Sequence, residues 1–295
     1  MSGDHRVSVG LPVYNGERYL EVALDSLLSQ TFSDFELIIC DNASTDRTAD
    51  ICRQYALQDD RINYSRNSAN IGAMNNFNRT FGLATGEFFR WVGYYDISLP
   101  GYLEACVQTL DDDPAAVLCH TRTILINEAG ERVGPYDDFL DFRSPHPEQR
   151  FREYLFRPAV LCNAIMGLVR SDELRKTPLL GGYLASDKIL LGDLVLRGSL
   201  RRVDDYLFLR RLHPLKSDHA NRSRKDLAAW LNPATVGRVQ FPTTIPRDFV
   251  ELARAIWRVP INRRQKMHSF LHLVHWLTMR PVWSVRRRWL GAQTV

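Results

Sequence analysis

Two stretches decide the fold of this chain: VSVGLPVYNGE at residues 7–17 and CDNASTD at residues 40–46. Each continues or ends an apolar segment typical of a buried β-strand, and each leaves that strand on polar, turn-forming residues. Helical periodicity follows both. In an open parallel sheet, ligands bind in the crevice outside the carboxyl ends of the strands. The two stretches therefore predict a ligand crevice formed by two neighbouring parallel strands.

Strand and helix patterns alternate through the first 112 residues. This alternation is typical of α/β domains, in which helices cross over a parallel sheet in the right-handed sense. We therefore predict an α/β fold with a mostly parallel open sheet, flanking helices and a helical C-terminal extension. The predicted strands lie at about 6–13, 34–40, 60–66 and 86–93, and the predicted helices lie at 17–30, 46–58, 73–84 and 101–112.

The pattern after residue 114 is less regular. Residues 115–133 are typical of a β-hairpin that turns at 127–131. Residues 134–150 are rich in Pro, Asp, Phe and Tyr, and we expect them to form a flexible loop. Further predicted elements are a strand at 160–170, a helix at 187–197 and paired strands near 200–204 and 206–212.

The cysteines and the N-terminus indicate the compartment. Five cysteines are scattered without C-x-x-C spacing, and the first residues lack the charged and apolar regions of a signal peptide. No stretch reaches the roughly 18 uninterrupted apolar residues of a spanning helix. The sequence therefore predicts a reduced, cytoplasmic protein.

Charge is distributed unevenly, although the net charge is only +4. Residues 246–295 hold ten Lys and Arg against two acidic residues, whereas the first 245 residues hold 28 against 32. The first 245 residues are therefore mildly acidic, and the tail is strongly basic. We expect no nucleic-acid partner.

Two common phosphate-binding motifs are missing from the sequence. No G-x-G-x-x-G follows the first strand, and no G-x-x-x-x-G-K-[ST] occurs. A dinucleotide-dependent dehydrogenase and a P-loop enzyme are therefore not supported.

Tyr14 and Asp41 give the predicted crevice its chemistry. The ring of Tyr14 can stack on a nucleobase, and the carboxylate of Asp41 can accept the imide N–H of uracil or thymine. This pair resembles the start of the inverting family 2 glycosyltransferases of the GT-A fold. The resemblance covers about residues 6–220, and it divides the chain into a GT-A catalytic domain at 1–220 and a helical, basic extension at 221–295.

The resemblance implies a set of residues that bind a nucleotide-diphospho-sugar donor. Residues 66–79 resemble the stretch that lines the nucleotide pocket in one family subgroup, and Gly72 would let the backbone approach the ligand. An arginine-x-histidine element in the family brings a histidine to the metal or diphosphate, and His213 matches it. The implied donor-binding residues are Pro12, Tyr14, Asn15, Asp41, Asn70, Gly72, Asn76, Tyr95, Asp96, Arg210, Arg211, His213 and Lys216.

The metal motif of the family is degenerate in this chain. GT-A enzymes usually neutralise the diphosphate with a divalent metal held by a D-x-D motif. Pro100 and Leu103 anchor the alignment, so that Asp96 matches the last aspartate while Gly93 and Tyr95 stand where carboxylates are expected.

Three consequences of this degenerate motif stay open. Asp96, with His213, could still hold Mg²⁺ or Mn²⁺ weakly. Tyrosine hydroxyls and the cations of residues 210–217 could instead stabilise the diphosphate without metal. The protein could also bind the donor without turning it over.

Asp187 matches the acidic residue that serves as catalytic base in the family. An inverting transfer needs one carboxylate to take the proton of the acceptor hydroxyl as its oxygen attacks the anomeric carbon. The alternative is that Asp187 only caps the helix that begins there. Asp193 is a poorer candidate because it lies six residues further on, inside the helix and off the face of Asp187.

The sequence thus predicts an inverting transfer of a hexosyl group from a UDP, TDP or GDP donor to an acceptor hydroxyl. Glycolipid, polysaccharide and natural-product biosynthesis are all open. One rival is a catalytically impaired nucleotide-sugar-binding subunit. Another is a sugar nucleotidyltransferase, which should carry a Gly-rich basic loop where residues 15–17 are acidic.

The basic tail carries helical apolar spacing at 249–258 and 267–277, and Pro260 and Pro281 are expected to divide it into short pieces. Apolar residues beside Arg and Lys suit a helix on the inner face of a membrane, with a lipid-linked acceptor. Packing on the catalytic domain or on a second subunit is the alternative.

Overall fold

The computed structural model describes residues 5–157, 161–212, 230–231, 233 and 246–291. Its strands are β1 (Val7–Val13), β2 (Phe35–Asp41), β3 (Ile62–Arg66), β4 (Phe88–Trp91), β5 (Ile97–Ser98), β6 (Ala116–Ile126), β7 (Arg132–Tyr136), β8 (Leu168–Arg170) and β9 (Ser199–Arg211). Its helices are α1 (Leu20–Leu28), α2 (Thr48–Ala56), α3 (Ala73–Gly82), α4 (Tyr102–Asp112), α5 (Pro147–Phe156), α6 (Ser171–Arg175), α7 (Ser186–Arg197), α8 (Arg247–Arg258) and α9 (Arg263–Gly291).

The strands form one sheet in the order β3-β2-β1-β4-β8-β6-β9-β5, and β7 pairs with β6 beside this path. Strands β3, β2, β1 and β4 are parallel, as are β6 and β9, while β8 joins the two groups by antiparallel pairing. The predicted α/β sheet is therefore confirmed. The carboxyl ends of its first three strands meet at one edge, where the candidate site lies.

Every residue of β1 is buried because helices cover both faces of the sheet. One face packs on α1, α2 and α4 around Leu24, Ile51 and Leu103. The other face packs on α3, α5 and α7 around Phe81 and Leu194. Long apolar strands and amphipathic helices thus explain why the early elements were predicted to within a few residues.

The prediction for 134–150 was wrong in large part. Strand β7 continues to Tyr136, and α5 begins at Pro147. Between them, Leu140 and Phe142 are fully buried, and Phe142 forms a bridge with Leu200. Alternate apolar residues therefore hold this segment against β9, which its polar composition did not indicate.

Two strand predictions further along the chain were also wrong. Of the predicted strand at 160–170, the described residues 161–170 are strand only in β8, because Cys162 adopts a left-handed conformation (φ 56°) and a 3₁₀ turn follows at Asn163–Met166. The predicted pair of strands at 200–212 is one strand, β9. Its register against β6 shifts between Val203 and Tyr206, so a bulge lies where the sequence predicted a break between two strands.

The C-terminal helices α8 and α9 pack against α5 and α7. Leu252, Ile256 and Leu273 are buried in the same core as α5 and α7. Helix α9 runs through Pro281, so that proline does not divide the segment as predicted. Within the described residues, none of the helices has the length and apolarity to cross a bilayer.

Candidate active site

The loops after β1 and β2 are bound to each other at the carboxyl edge of the sheet. The amide of Asn15 donates to Ser44 Oγ at 3.0 Å, and the amide of Gly16 donates to Thr48 Oγ1 at 2.8 Å. Asn15 and Ala43 both adopt left-handed backbone (φ 49° and 62°). Such conformations persist in non-glycine residues only where surrounding contacts hold them, and they cluster at functional sites.

The carboxylate of Asp46 also links these two loops by hydrogen bonds. Its Oδ2 accepts from the amide of Glu17 at 3.1 Å and its Oδ1 accepts from the amide of Thr48 at 3.0 Å. Burial opposes the charge of Asp46, but these hydrogen bonds outweigh it and lower the pKa of the carboxyl. The ionised carboxylate is thus part of the folded loop pair.

Asp41 lies fully buried at the end of β2, below these loops. Its Oδ1 accepts from the amide of Ser44 at 2.8 Å, and its Oδ2 accepts from the hydroxyl of Tyr64 at 3.1 Å. Arg66 Nε lies 3.2 Å from Oδ2. Burial, followed by the charge of Asp41, raises the pKa of the Tyr64 hydroxyl. Asp41 is thus a carboxylate whose position is fixed by three neighbours.

An asparagine network continues the crevice beyond Asp41. Asn42 donates to Asn70 Oδ1 at 2.9 Å and accepts from Asn67 at 3.0 Å. Asn67 also donates to Asn76 Oδ1, while Asn76 donates to the carbonyl of Cys40 at the end of β2. Hydrogen bonds through Asn42 and Asn67 therefore connect Asn70 to Asn76, which were both predicted to bind the donor. Asn42 and Asn67 were not predicted to be site residues, although each stands in a polar loop directly after a strand.

Gly72 immediately precedes α3 and has a φ of 87°. Its amide donates to Asn70 Oδ1 at 2.9 Å, so Gly72 belongs to the same hydrogen-bond network. A residue with a side chain would be strained in that conformation. Pro12 is buried within β1, opposite Cys40, whereas Tyr14 is 41% exposed just beyond the strand. The exposed ring of Tyr14 is therefore free of the core at the mouth of the crevice.

Asp96 stands in the turn between β4 and β5, next to the carboxyl end of β9. Its Oδ1 accepts from the amide of Arg211 at 3.0 Å. A Cβ built on Gly93 would lie 2.8 Å from Asp96 Oδ2 and 3.3 Å from the ring of Tyr95. Asp96 and Tyr95 therefore occupy the space that a carboxylate at position 93 would need.

This donor set fits a divalent metal poorly. Among the described residues, no group of three or more His, Cys, Asp and Glu side chains could hold a metal ion. Asp96 is the single carboxylate of the degenerate motif, and it is largely buried against the backbone of β9. His213 and Lys216, both predicted at the diphosphate, lie outside the described residues.

The two predicted arginines at the end of β9 lie in different surroundings. The guanidinium of Arg211 is buried and donates to the carbonyls of Tyr95, Asn127 and Glu128, so it holds two turns together. Arg210 donates to the side chain of Asn163.

Asn163 was missed by the sequence analysis. Its amide donates to Asp138 Oδ2, and its side chain donates to Thr123 Oγ1 at 3.1 Å. Its oxygen accepts from Arg210. Because these partners are 25 to 47 positions away in the chain, no local motif marks them.

Asp187 lies half-buried in the first turn of α7, after Ala185 in left-handed conformation (φ 61°). Its Oδ1 accepts from the amide of Lys188 at 2.8 Å. The neighbouring Ser186 Oγ contacts Met74 Sδ at 3.6 Å, so the start of α7 meets the start of α3. The first turn of α7, which carries Asp187, therefore lies beside the first turn of α3, which follows Gly72.

The charge of Asp187 also reaches Cys162. Burial, and then the charges of Asp187 and Asp138, raise the pKa of this thiol. Asp193, the weaker candidate, is fully buried between Arg197 (2.7 Å) and Arg258 (2.6 Å). Its carboxylate joins α7 to α8, which is a structural task.

Comparisons with known proteins find glycosyltransferases that are similar to this chain. The chain is 35% identical over 133 residues to the glycosyltransferase EpsE of Bacillus subtilis (strain 168), covering 45% of this chain and 48% of EpsE. It is 27% identical over 211 residues to the glycosyltransferase EpsH of the same organism, covering 70% of this chain and 55% of EpsH. The chain therefore spans about half the length of these relatives.

The fold is similar to that of solved structures of S. aureus TarS. S. aureus TarS 1–349 in complex with UDP superposes with a TM-score of 0.62 at 17% identity, covering 91% of this chain and 70% of that chain. Its complex with UDP-GlcNAc gives a TM-score of 0.63 at 16% identity, covering 92% and 72%. These similarities identify the GT-A fold. The model of the glycosyl transferase family 2 matches residues 8–173, and with this match the chain belongs to glycosyl transferase family 2.

Proposed function

We propose that this enzyme is an inverting glycosyltransferase that uses a nucleotide-diphospho-sugar donor. The observation that carries the proposal is the group of residues at the carboxyl edge of β1–β3, where the exposed Tyr14 follows β1, and Asp41 and the asparagine network stand at the ends of β2 and β3. TarS, which shares the fold, has been solved with UDP and with UDP-GlcNAc. UDP is therefore the first nucleotide to test, beside TDP and GDP.

Nucleobase recognition would rest on Asp41. A carboxylate offers about four acceptor positions, and three are taken by Ser44, Tyr64 and Arg66. Arg66 reaches the solvent, since its side chain is 43% exposed. Displacement of Arg66 by a nucleobase would expose Asp41 Oδ2 to an imide N–H, while the ring of Tyr14 stacks on the base.

Transfer to the acceptor would rest on Asp187. Its carboxylate lies in the first turn of α7, where the positive end of the helix dipole favours negative charge. In an inverting displacement it takes the proton of the acceptor hydroxyl while the hydroxyl oxygen attacks the anomeric carbon. The bond from that carbon to the diphosphate oxygen breaks on the opposite side, and the nucleoside diphosphate leaves.

Stabilisation of the leaving diphosphate would fall to cations and hydroxyls of this chain. Arg210 is held at the carboxyl end of β9 by Asn163, and Tyr94 and Tyr95 pack edge to face with ring centroids 5.1 Å apart. Fixed donors of this kind stabilise developing negative charge without an ion. His213 and Lys216 are proposed to add to this set.

A thermal-shift panel of UDP, TDP and GDP, each with and without Mn²⁺, tests the proposed donor class. A ligand that binds only the folded state must raise its stability, by about 2.7 kcal/mol at a concentration of 100 times Kd. At least one nucleotide should raise the Tm without metal. A Tm unchanged by all three would contradict the proposal. Nucleotide binding without turnover of any donor would favour the impaired binding subunit instead.

A further inference from the structure

The two C-terminal helices have an inner and an outer face. Ser269 and Leu273 of α9 are fully buried against the catalytic part of the chain. On the opposite side, Met267, Leu271 and Val274 are exposed, with Met267 and Leu271 at 56%. These three residues and the exposed Phe270 follow the spacing i, i+3, i+4, i+7, which is one stripe of a helix. The stripe is therefore apolar, although its side chains are not packed in the core.

Trp257 of α8 extends this stripe and is 80% exposed. Lys266 lies over its ring, with Nζ 5.4 Å from the ring centroid, and donates to the carbonyl of Trp257 at 2.7 Å. Phe270 contacts Phe249 of α8, with ring centroids 6.2 Å apart. We define the outer face as Trp257, Met267, Phe270, Leu271 and Val274.

The charge of the segment that carries the outer face is strongly biased toward positive. No Asp or Glu occurs from residue 252 to residue 295, whereas this segment carries nine Lys and Arg. Arg263 and Arg264 are exposed one turn before the stripe, whereas the exposed Arg254 pairs with Glu251 at 2.8 Å. A second copy of the same face would bring the same positive charge and would be repelled, whereas an anionic lipid surface would be attracted.

From this combination of exposed apolar residues with an excess of positive charge, we propose that the outer face binds the surface of an anionic lipid bilayer. Trp257 and the stripe would enter the boundary between headgroups and acyl chains, and the arginines would contact the lipid phosphates. The inner face would stay packed on α5 and α7. The catalytic part would thus be held at a membrane surface without a spanning helix.

Sedimentation with vesicles tests this proposal on the full chain. Vesicles of phosphatidylcholine containing 30% phosphatidylglycerol should bind at least about tenfold more protein than pure phosphatidylcholine, because each basic residue near an anionic surface adds attraction. Raising NaCl from 0.1 M to 0.5 M should remove most of that binding. Equal binding to both vesicles, or no binding to either, would overturn the proposal.

Two double variants locate the bound surface. Trp257→Ser with Leu271→Ser removes exposed apolar area, and Arg263→Gln with Arg264→Gln removes charge. Each should reduce binding to the anionic vesicles at least about fivefold. The arginine pair has its side chains in solvent, so this variant keeps the test valid even if the first variant folds poorly.

Matched controls use residues of the same kind elsewhere on the surface. Leu57→Ser with Val133→Ser removes two exposed apolar side chains, the first of them 89% exposed. Arg132→Gln with Arg175→Gln removes two exposed charges. Binding by both control variants should stay within twofold of the wild type, and an equal loss in them would overturn the proposal.

Sedimentation velocity without lipid tests the alternative that a second copy of the chain covers the outer face. A dimer that forms at micromolar concentration and is lost in the Trp257/Leu271 variant would assign the outer face to a second copy and overturn the proposal. A monomer in both proteins is the expected result.

Discussion

At the scale of single residues, the proposed sugar transfer rests on Asp187. Asp187→Asn keeps the oxygen that accepts from the Lys188 amide but cannot take a proton. We expect the variant to lose turnover by about 10²-fold or more, since this is the usual contribution of a general base. Steady-state kinetics beside calorimetric titration of the nucleotide should show unchanged nucleotide affinity.

Asp172→Asn is the matched control for that variant, because Asp172 is an exposed carboxylate in the first turn of a different helix, α6. Its turnover should equal that of the wild type. If Asp187→Asn keeps most of the activity, Asp187 is only a helix cap.

Asp41→Asn tests nucleobase recognition. The amide nitrogen that replaces one oxygen is a donor and would oppose an imide N–H, so we expect nucleotide affinity to fall at least about tenfold. Tyr64→Phe is the control, since it removes a neighbour of Asp41 and leaves the carboxylate. Calorimetry should show near-normal affinity for Tyr64→Phe. Equal affinity in Asp41→Asn and the wild type would refute this role.

The sequence marks residues whose position in a local motif is characteristic, such as Asp41 at a strand end and Asp187 at a helix start. Asn67 and Asn163 escaped notice because their partners lie far away in the chain or in another loop. Arg211 was predicted at the diphosphate from its neighbours in sequence, whereas its guanidinium is buried among carbonyls. Side-chain direction at the end of β9 depends on packing, which a single sequence does not specify.

At the scale of elements, the contact between the two loops after β1 and β2 shapes the crevice. Asp46→Asn removes one of the two acceptor oxygens that bind the amides of Glu17 and Thr48. We expect the free energy of unfolding to fall by about 1–2 kcal/mol at pH 7. Urea unfolding followed by circular dichroism measures this difference.

The pH dependence of that difference follows from the lowered pKa of Asp46. A carboxyl whose folded pKa is lowered contributes stability above its unfolded pKa, and the contribution is lost as the pH falls through the folded pKa. The wild type should therefore keep its advantage over Asp46→Asn at pH 5–7 and lose it progressively below about pH 4. An advantage that persists unchanged at pH 2.5 would contradict the account.

Elements were predictable where one pattern dominated. The apolar β1 and β2 and the amphipathic α2, α3 and α4 were located to within a few residues because burial on one or both faces repeats regularly along them. The bulge between Val203 and Tyr206 and the buried Phe142 were not predicted, since strand pairing with distant residues overrode the local polar composition.

At the scale of the whole molecule, the sheet brings only one carboxylate of the degenerate motif, Asp96, to the described part of the site. We therefore expect turnover to change less than about twofold between excess chelator and excess Mn²⁺ or Mg²⁺, because hard divalent cations favour several oxygen ligands. Activity assays across chelator and metal concentrations measure this. Complete loss in chelator with recovery on adding metal would instead point to Asp96 and His213 as ligands.

The apolar spacing of the tail suited two alternatives. Its periodicity suited packing on the catalytic part and also a membrane surface. The structure assigns Leu252, Ile256 and Leu273 to the core and leaves the outer face exposed. The sequence could not show which face packs in the core, because the helix has apolar residues on two sides.

The stereochemistry of transfer tests the central claim most directly. The full chain is incubated with UDP-, TDP- and GDP-hexoses and simple alcohol acceptors, and NMR follows both nucleoside diphosphate release and the anomeric configuration of the glycoside formed. The account predicts release from at least one donor and a product of the opposite anomeric configuration, since the acceptor oxygen attacks opposite the leaving diphosphate. Retention of configuration, or donor binding without any release, would contradict it.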